Sequence, residues 1–219
     1  MNIVDKLFYR FIIVLSQIVF RPSICEIRGL ENLPKTGGFI IASNHVNPFD
    51  PPLIVAVIAK FLRKNYLKNG KKLYYLGMKE LKRRIYSFFL NENIGFLLNS
   101  IIGANRAVEL LGDGNILGIF PEGRRNDNKG LLKAKKGVAF IALLSGAPVI
   151  PVACFGPMTR SFNQGLKGLL ACKKVYFGKP LKFSPRELSE LKQNPEITLM
   201  VTRAIMMEIG KLWGKEYKF

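Results

Sequence analysis

His45 is the single histidine of a 219-residue chain, and Asp50 follows it in the stretch SNHVNPFDPP (43–52). A neutral imidazole titrates near ordinary working pH, so it can take the proton from an attacking hydroxyl. A carboxylate on the other ring nitrogen would hold the tautomer and stabilise the imidazolium that forms. Four intervening residues do not bring two side chains together along a rigid helix. They do so if His45 ends a strand and VNPF turns back to set Asp50 at the head of a helix. Asp50 suits an N-cap, and Pro51 suits the first helical position, where its missing N–H costs nothing. One carboxylate oxygen can cap while the other holds the ring. A structural histidine near a capping aspartate is the alternative reading of the same residues.

The surrounding sequence alternates between the two periods. CEIRG, GFIIAS, KLYYLGM, NILGIF, APVIPVACFG and KKVYFGKPLKF read as strands bounded by glycine and proline. DPPLIVAVIAKFLRK, a region ending near ANRAVELLGDG, KAKKGVAFIALLSG and PEITLMVTRAIMMEIGKLW read as helices. Strands separated by helices predict an α/β chain: a single layered domain with a mixed central sheet flanked by helices. His45 and the glycine loop after NILGIF then fall at strand ends, where such folds place chemistry. The length suits one domain, and no internal repeat or flexible hinge argues for two.

Lysine and arginine number 34 against 15 acidic residues, a formal net charge of +19. Such a field attracts polyanions, whether nucleic acid, anionic lipid headgroups or an acidic carrier protein, though solvated surface charge accounts for part of it. Cys25, Cys154 and Cys172 are far apart and odd in number, which predicts reduced thiols of an intracellular protein. One histidine and scattered thiols offer no zinc set, so no metal is expected.

At the N-terminus, FIIVLSQIVF is too short to span a bilayer, and Asp5 with no small-residue cleavage site argues against a signal peptide. On a helical wheel Asn2, Asp5, Lys6, Tyr9, Arg10, Ser16 and Gln17 gather within roughly 140°, with Ile13 and Phe20 as exceptions. Val4, Leu7, Phe8, Phe11, Val14, Leu15 and Ile18 fill the opposite side. Residues 1–22 are therefore expected to form an amphipathic helix lying in a membrane interface, with packing on the core as the other reading. The basic stretch 60–84 favours an anionic membrane surface.

Three motifs stand in order: Asn44-His45-x4-Asp50, Phe120-Pro121-Glu122-Gly123-x-Arg125, and Ala147-Pro148-Val149-Ile150-Pro151-Val152. In these, and in MKELKRR around Lys79, the chain resembles the 1-acylglycerol-3-phosphate O-acyltransferases, from about Arg28 to about Pro180. The resemblance implies an acyltransferase domain over 23–219, with His45 and Asp50 as catalytic residues. It implies substrate binding by Glu122, Gly123, Arg125, Lys79 and Asn44, with Arg125 on the acceptor's phosphate. A guanidinium can grip phosphate with two parallel hydrogen bonds, which suits that role. Arg124 is a secondary candidate. Glu122 is expected to orient the arginine or the glycerol hydroxyls, and backbone N–H groups of the glycine loop can serve the oxyanion. APVIPV is read as architecture.

The implied reaction moves a fatty acyl group from acyl-CoA or acyl-carrier protein to the sn-2 hydroxyl of lysophosphatidic acid, with no acyl-enzyme and no cofactor. The implied place is the cytoplasmic face of a membrane. One position departs from the family pattern. An arginine expected after a Gly-aromatic strand has no match in IGFLLNS (94–100), where Asn99 and Ser100 stand, and Arg106 lies further on. An ornithine- or ethanolamine-headed lysolipid is thus the alternative acceptor. A nucleic-acid binder would give no reason for His45, Asp50 and Glu122 to sit in order on loops, so no nucleic acid is expected.

Overall fold

The computed structural model describes residues 3–77, 96–98, 101–126, 130–157, 168 and 171–219. Its strands are β1 (Ile24–Arg28), β2 (Phe39–Ser43), β3 (Leu73–Gly77), β4 (Phe96–Leu98), β5 (Ile116–Ile119), β6 (Val149–Phe155) and β7 (Lys173–Phe177). Its helices are α1 (Ile3–Phe20), α2 (Asp50–Asn65), α3 (Ile101–Gly112), α4 (Gly137–Ser145), α5 (Leu188–Gln193) and α6 (Pro195–Trp213).

The strands form one sheet in the order β1-β7-β6-β2-β5-β3-β4. Neighbours are parallel except at β6–β7, which run antiparallel, so the sheet is mixed as expected. β2 lies at its centre, every residue buried. Its side chains divide by the two-residue period of a strand. Ile40 and Ala42 join the core shared with α3, α4 and α6. Phe39 and Ile41 join the opposite core, shared with α1 and α2. Burying an Ile or Phe side chain contributes about 1.5–3 kcal/mol, so the central strand is held from both faces.

The N-terminal helix packs by the arc read as polar. Tyr9, Ile13, Ser16 and Phe20 are buried, so the two apolar exceptions in that arc are anchors. The Tyr9 hydroxyl donates to the Leu73 carbonyl (3.2 Å) and accepts from the Leu73 N–H (2.8 Å), fixing α1 to β3. The apolar side faces outward: Leu7, Phe11 and Ile18 are 60%, 58% and 68% exposed. Among the described residues, no helix is long and apolar enough to cross a membrane.

Two expectations need correction. Cys25 and Cys172 form a disulfide with a Cα separation of 5.5 Å, so of the three expected thiols only the buried Cys154 is free. Parallel pairing of β1 with β7 sets Ile24 opposite Lys173 and brings the two cysteines together. The region read as helical between β3 and β5 also holds the short strand β4 ahead of α3.

Candidate active site

β2 delivers His45 two residues past its end, at the carboxyl edge of the sheet, beside the ends of β5 and β6. In open α/β sheets this edge is where ligands bind. The chain then turns: the Asp50 N–H donates to the Asn47 carbonyl (3.0 Å), and the Phe49 N–H to Asn47 Oδ1 (2.9 Å). That turn carries Asp50 back to His45, with Asp50 Oδ2 2.9 Å from His45 Nδ1.

The same oxygen accepts the N–H groups of Val46 (2.8 Å) and Asn47 (2.8 Å). An oxygen already receiving two N–H donors acts as an acceptor, so Nδ1 donates to it, and in the neutral ring that leaves the lone pair on Nε2. Asp50 is the first residue of α2, and its carboxylate satisfies the turn before the helix. The expected capping bond to the helix itself is replaced by these two turn bonds.

The Asp50 side chain is 3% exposed and the His45 ring 18%. Phe120 stacks on that ring at 4.2 Å between centroids, and Tyr75 stacks on Phe120 at 6.0 Å. Gly118 makes room for this column, since a Cβ there would run into the Tyr75 ring. The Tyr75 hydroxyl donates to the Pro51 carbonyl (3.1 Å), tying the column to the first turn of α2. The imidazole is thereby fixed both in its plane and along its edge.

Glu122 occupies a different place from the one expected. It is buried, and its Oε1 accepts the His45 backbone N–H (3.1 Å) and Asn126 Nδ2 (2.9 Å). Its Oε2 accepts Asn126 Nδ2 (2.9 Å) and the Leu132 N–H (2.9 Å). Burial raises its carboxyl above the usual range, opposed by these hydrogen bonds. The Asn126 N–H in turn donates to the His45 carbonyl at 2.7 Å. Glu122 and Asn126 therefore clamp the His45 backbone from both sides, rather than presenting a carboxylate to the glycerol hydroxyls. Gly123 closes the turn between them at a φ of 67°, a left-handed conformation that favours glycine.

Asn44, expected to bind substrate, is instead a strut. It is fully buried, its Nδ2 donating to the Cys154 carbonyl (3.0 Å) and its Oδ1 accepting the Cys154 N–H (2.7 Å). It thus extends the β2–β6 pairing one step toward His45. Arg124 and Arg125 are both exposed on the loop beside Glu122. Lys79, Asn99 and Ser100 lie outside the described residues. Arg106 lies on α3 and pairs with Glu109 (2.8 Å).

Asn126 and Tyr75 were not singled out for the site from the sequence, and Phe120 stood in the second motif with no role given to it. Asn126 had one visible signal, its place directly after the arginine pair. The reach of Tyr75 depends on the register that sets it beside Gly118.

Comparison with known proteins matches residues 24–155 to the family described as Acyltransferase. The 1-acyl-sn-glycerol-3-phosphate acyltransferase of Bacillus subtilis is 27% identical over 199 residues, 84% of this chain and 86% of that protein. The protein of the same name from Borreliella burgdorferi is 26% identical over 154 residues, 64% of this chain and 56% of its own length. Among solved structures, the 1-acyl-sn-glycerophosphate (LPA) acyltransferase PlsC of Thermotoga maritima shares the fold. Its TM-score is 0.62 at 21% identity, over 92% of this chain and 79% of that one. The matched span holds His45, Asp50 and the Glu122 loop, and by it the chain belongs to the acyltransferase family.

Proposed function

We propose that this acyltransferase moves a fatty acyl group from acyl-CoA or acyl-carrier protein to the sn-2 hydroxyl of 1-acylglycerol-3-phosphate at a membrane surface, forming phosphatidic acid. The observation that carries the reading is the His45–Asp50 pair with Nδ1 engaged and Nε2 left as base. Nε2 takes the proton of the hydroxyl as its oxygen attacks the thioester carbon. The tetrahedral oxyanion collapses, the carbon–sulfur bond breaks, and the imidazolium returns the proton to the thiolate. The new ester and the free thiol balance the step, with no acyl-enzyme, metal or cofactor. Asp50 stabilises the imidazolium through Nδ1. Arg125 grips the acceptor phosphate, and Lys79 adds a point charge to it.

The names of the Bacillus and Borreliella relatives support this acceptor. The outward apolar side of α1 supports docking on a membrane surface, and the cytoplasmic face is the place the resemblance implies. Phe20 at the end of α1 meets Phe49 in the His45–Asp50 turn at 5.8 Å, so a docked α1 would hold that turn near the lipid surface.

A second acceptor, an ornithine- or ethanolamine-headed lysolipid, is favoured by one feature: IGFLLNS lacks the arginine that would complete a phosphate site. The test is acyl transfer in lipid–detergent micelles with lysophosphatidic acid and then with each other lysolipid. Turnover confined to lysophosphatidic acid supports the first reading; turnover confined to another acceptor replaces it with the second.

A further inference from the structure

Beside α1 lies a groove of about 590 Å³ lined by Gln17, Ile18, Arg21, Pro22, Lys60 and Arg63. Three of the six are cations, none is an acid, and all three cations are exposed. Arg63 donates to the neutral Gln17 Oε1 at 2.7 Å, which holds its guanidinium at the groove. Three like charges in one groove repel one another until an anion joins them. An anion with several oxygens suits a site with two guanidinium groups, since each can take two of them.

The groove's position identifies the anion's carrier. At 3.6 residues per turn, the exposed apolar residues of α1 centre opposite the buried Tyr9, Ile13, Ser16 and Phe20. Gln17 and the exposed Arg10 fall on the flank about 100° from the apolar centre. Ile18 belongs to both features, lining the groove and standing 68% exposed in the apolar strip. An interfacial helix sinks its apolar face about 5–10 Å into the boundary between headgroups and acyl chains. A groove on its flank then stands level with the phosphates.

We infer that Arg21, Lys60 and Arg63 form a binding site for the phosphate of an anionic phospholipid, separate from the site at His45. The inference rests on the membrane-surface reading. A bound headgroup would fix the rotation of α1 in the interface, where the apolar strip alone fixes only its depth. It would add a preference for anionic lipid to a strip that binds any bilayer.

The experiment measures partition of the full chain onto phosphatidylcholine vesicles with and without phosphatidylglycerol, at constant ionic strength. The combined variant Arg21→Gln, Lys60→Gln, Arg63→Gln should lose its preference for the anionic vesicles by about fivefold for each cation, on the order of 1 kcal/mol apiece. Its binding to phosphatidylcholine alone should be unchanged. A control removes the same charge elsewhere through the exposed Lys179, Lys182 and Lys218, each changed to Gln. If the control loses as much preference, overall charge explains it and the site is overturned. Inorganic phosphate bound by wild type but not by the groove variant, while both keep the same preference for anionic vesicles, would make this a site for free phosphate and overturn the lipid assignment. Phe11→Asp with Ile18→Asp separates the two readings. If that pair still binds both vesicles, the membrane reading fails. If it releases both while the groove variant keeps its anionic preference, only the groove inference fails.

Discussion

Asp50 Oδ2 gathers three donors, His45 Nδ1 and the N–H groups of Val46 and Asn47, so its substitutions should separate chemistry from folding. Asn at this position keeps an acceptor oxygen for all three but loses the charge that stabilises the imidazolium. Asp50→Asn should therefore lower kcat by about 10²–10⁴ with little change in Tm. Asp50→Ala should also lose about 1–3 kcal/mol, because it leaves buried N–H groups unpaired. Steady-state kinetics beside thermal melts distinguish the two. Glu122 gives a pH signature. Burial raises its carboxyl, so between the unfolded and folded values the native chain binds the extra proton, and its stability falls as pH rises through that window. Glu122→Gln should remove that slope in urea unfolding measured across acid pH. At neutral pH it should still lower turnover, because an amide Nε2 would face the Asn126 and Leu132 donors. The pairing of His45 with Asp50 was legible in the sequence because a single turn makes it. The use of Asn44 was not, since its partner Cys154 arrives from β6, 110 residues away.

At the scale of elements, the column His45–Phe120–Tyr75 depends on glycine at one point of β5. Gly118→Ala would press a Cβ into the Tyr75 ring, which cannot move without shifting Phe120 and the imidazole it stacks on. The expected cost is about 1–3 kcal/mol, as for overpacking generally, with a fall in kcat larger than any change in KM. Urea unfolding and steady-state kinetics on the same preparation test both parts. The main strands and helices were readable from apolar runs and their punctuation: β2 is a continuous apolar run because both its faces are buried, while α2 and α6 begin at or beside a proline. Short elements were not. β4 has three residues and α5 six, too few for either period to declare itself. The Cys25–Cys172 bond was hidden for a topological reason. Its partners are 147 residues apart and meet only because β1 lies at the sheet edge beside β7.

At the scale of the whole molecule, α1 joins the surface to the site. Its inner side pins β3 through Tyr9 and touches the His45–Asp50 turn through Phe20, while its outer side carries the exposed apolar strip. From the arc with more polar residues Tyr9, Ile13, Ser16 and Phe20 are packed, and residues of the opposite apolar side face outward. Ile13 and Phe20 were the signal, two large apolar residues sharing one helix face with Tyr9 and Ser16. Placing an acid at Ile18 should therefore weaken vesicle binding with little loss of stability, whereas Ile13→Ala should cost about 2–5 kcal/mol, as for other buried aliphatic truncations. Vesicle sedimentation and thermal melts on the two variants make that comparison. We propose His45, held by Asp50, as the base for acyl transfer to lysophosphatidic acid. The most direct measurement is turnover of one thioester donor with that acceptor by wild type and by His45→Ala, both shown folded by circular dichroism. His45→Ala should lose nearly all turnover, about 10²-fold or more, and still bind vesicles as wild type does. Substantial turnover by folded His45→Ala would contradict that assignment.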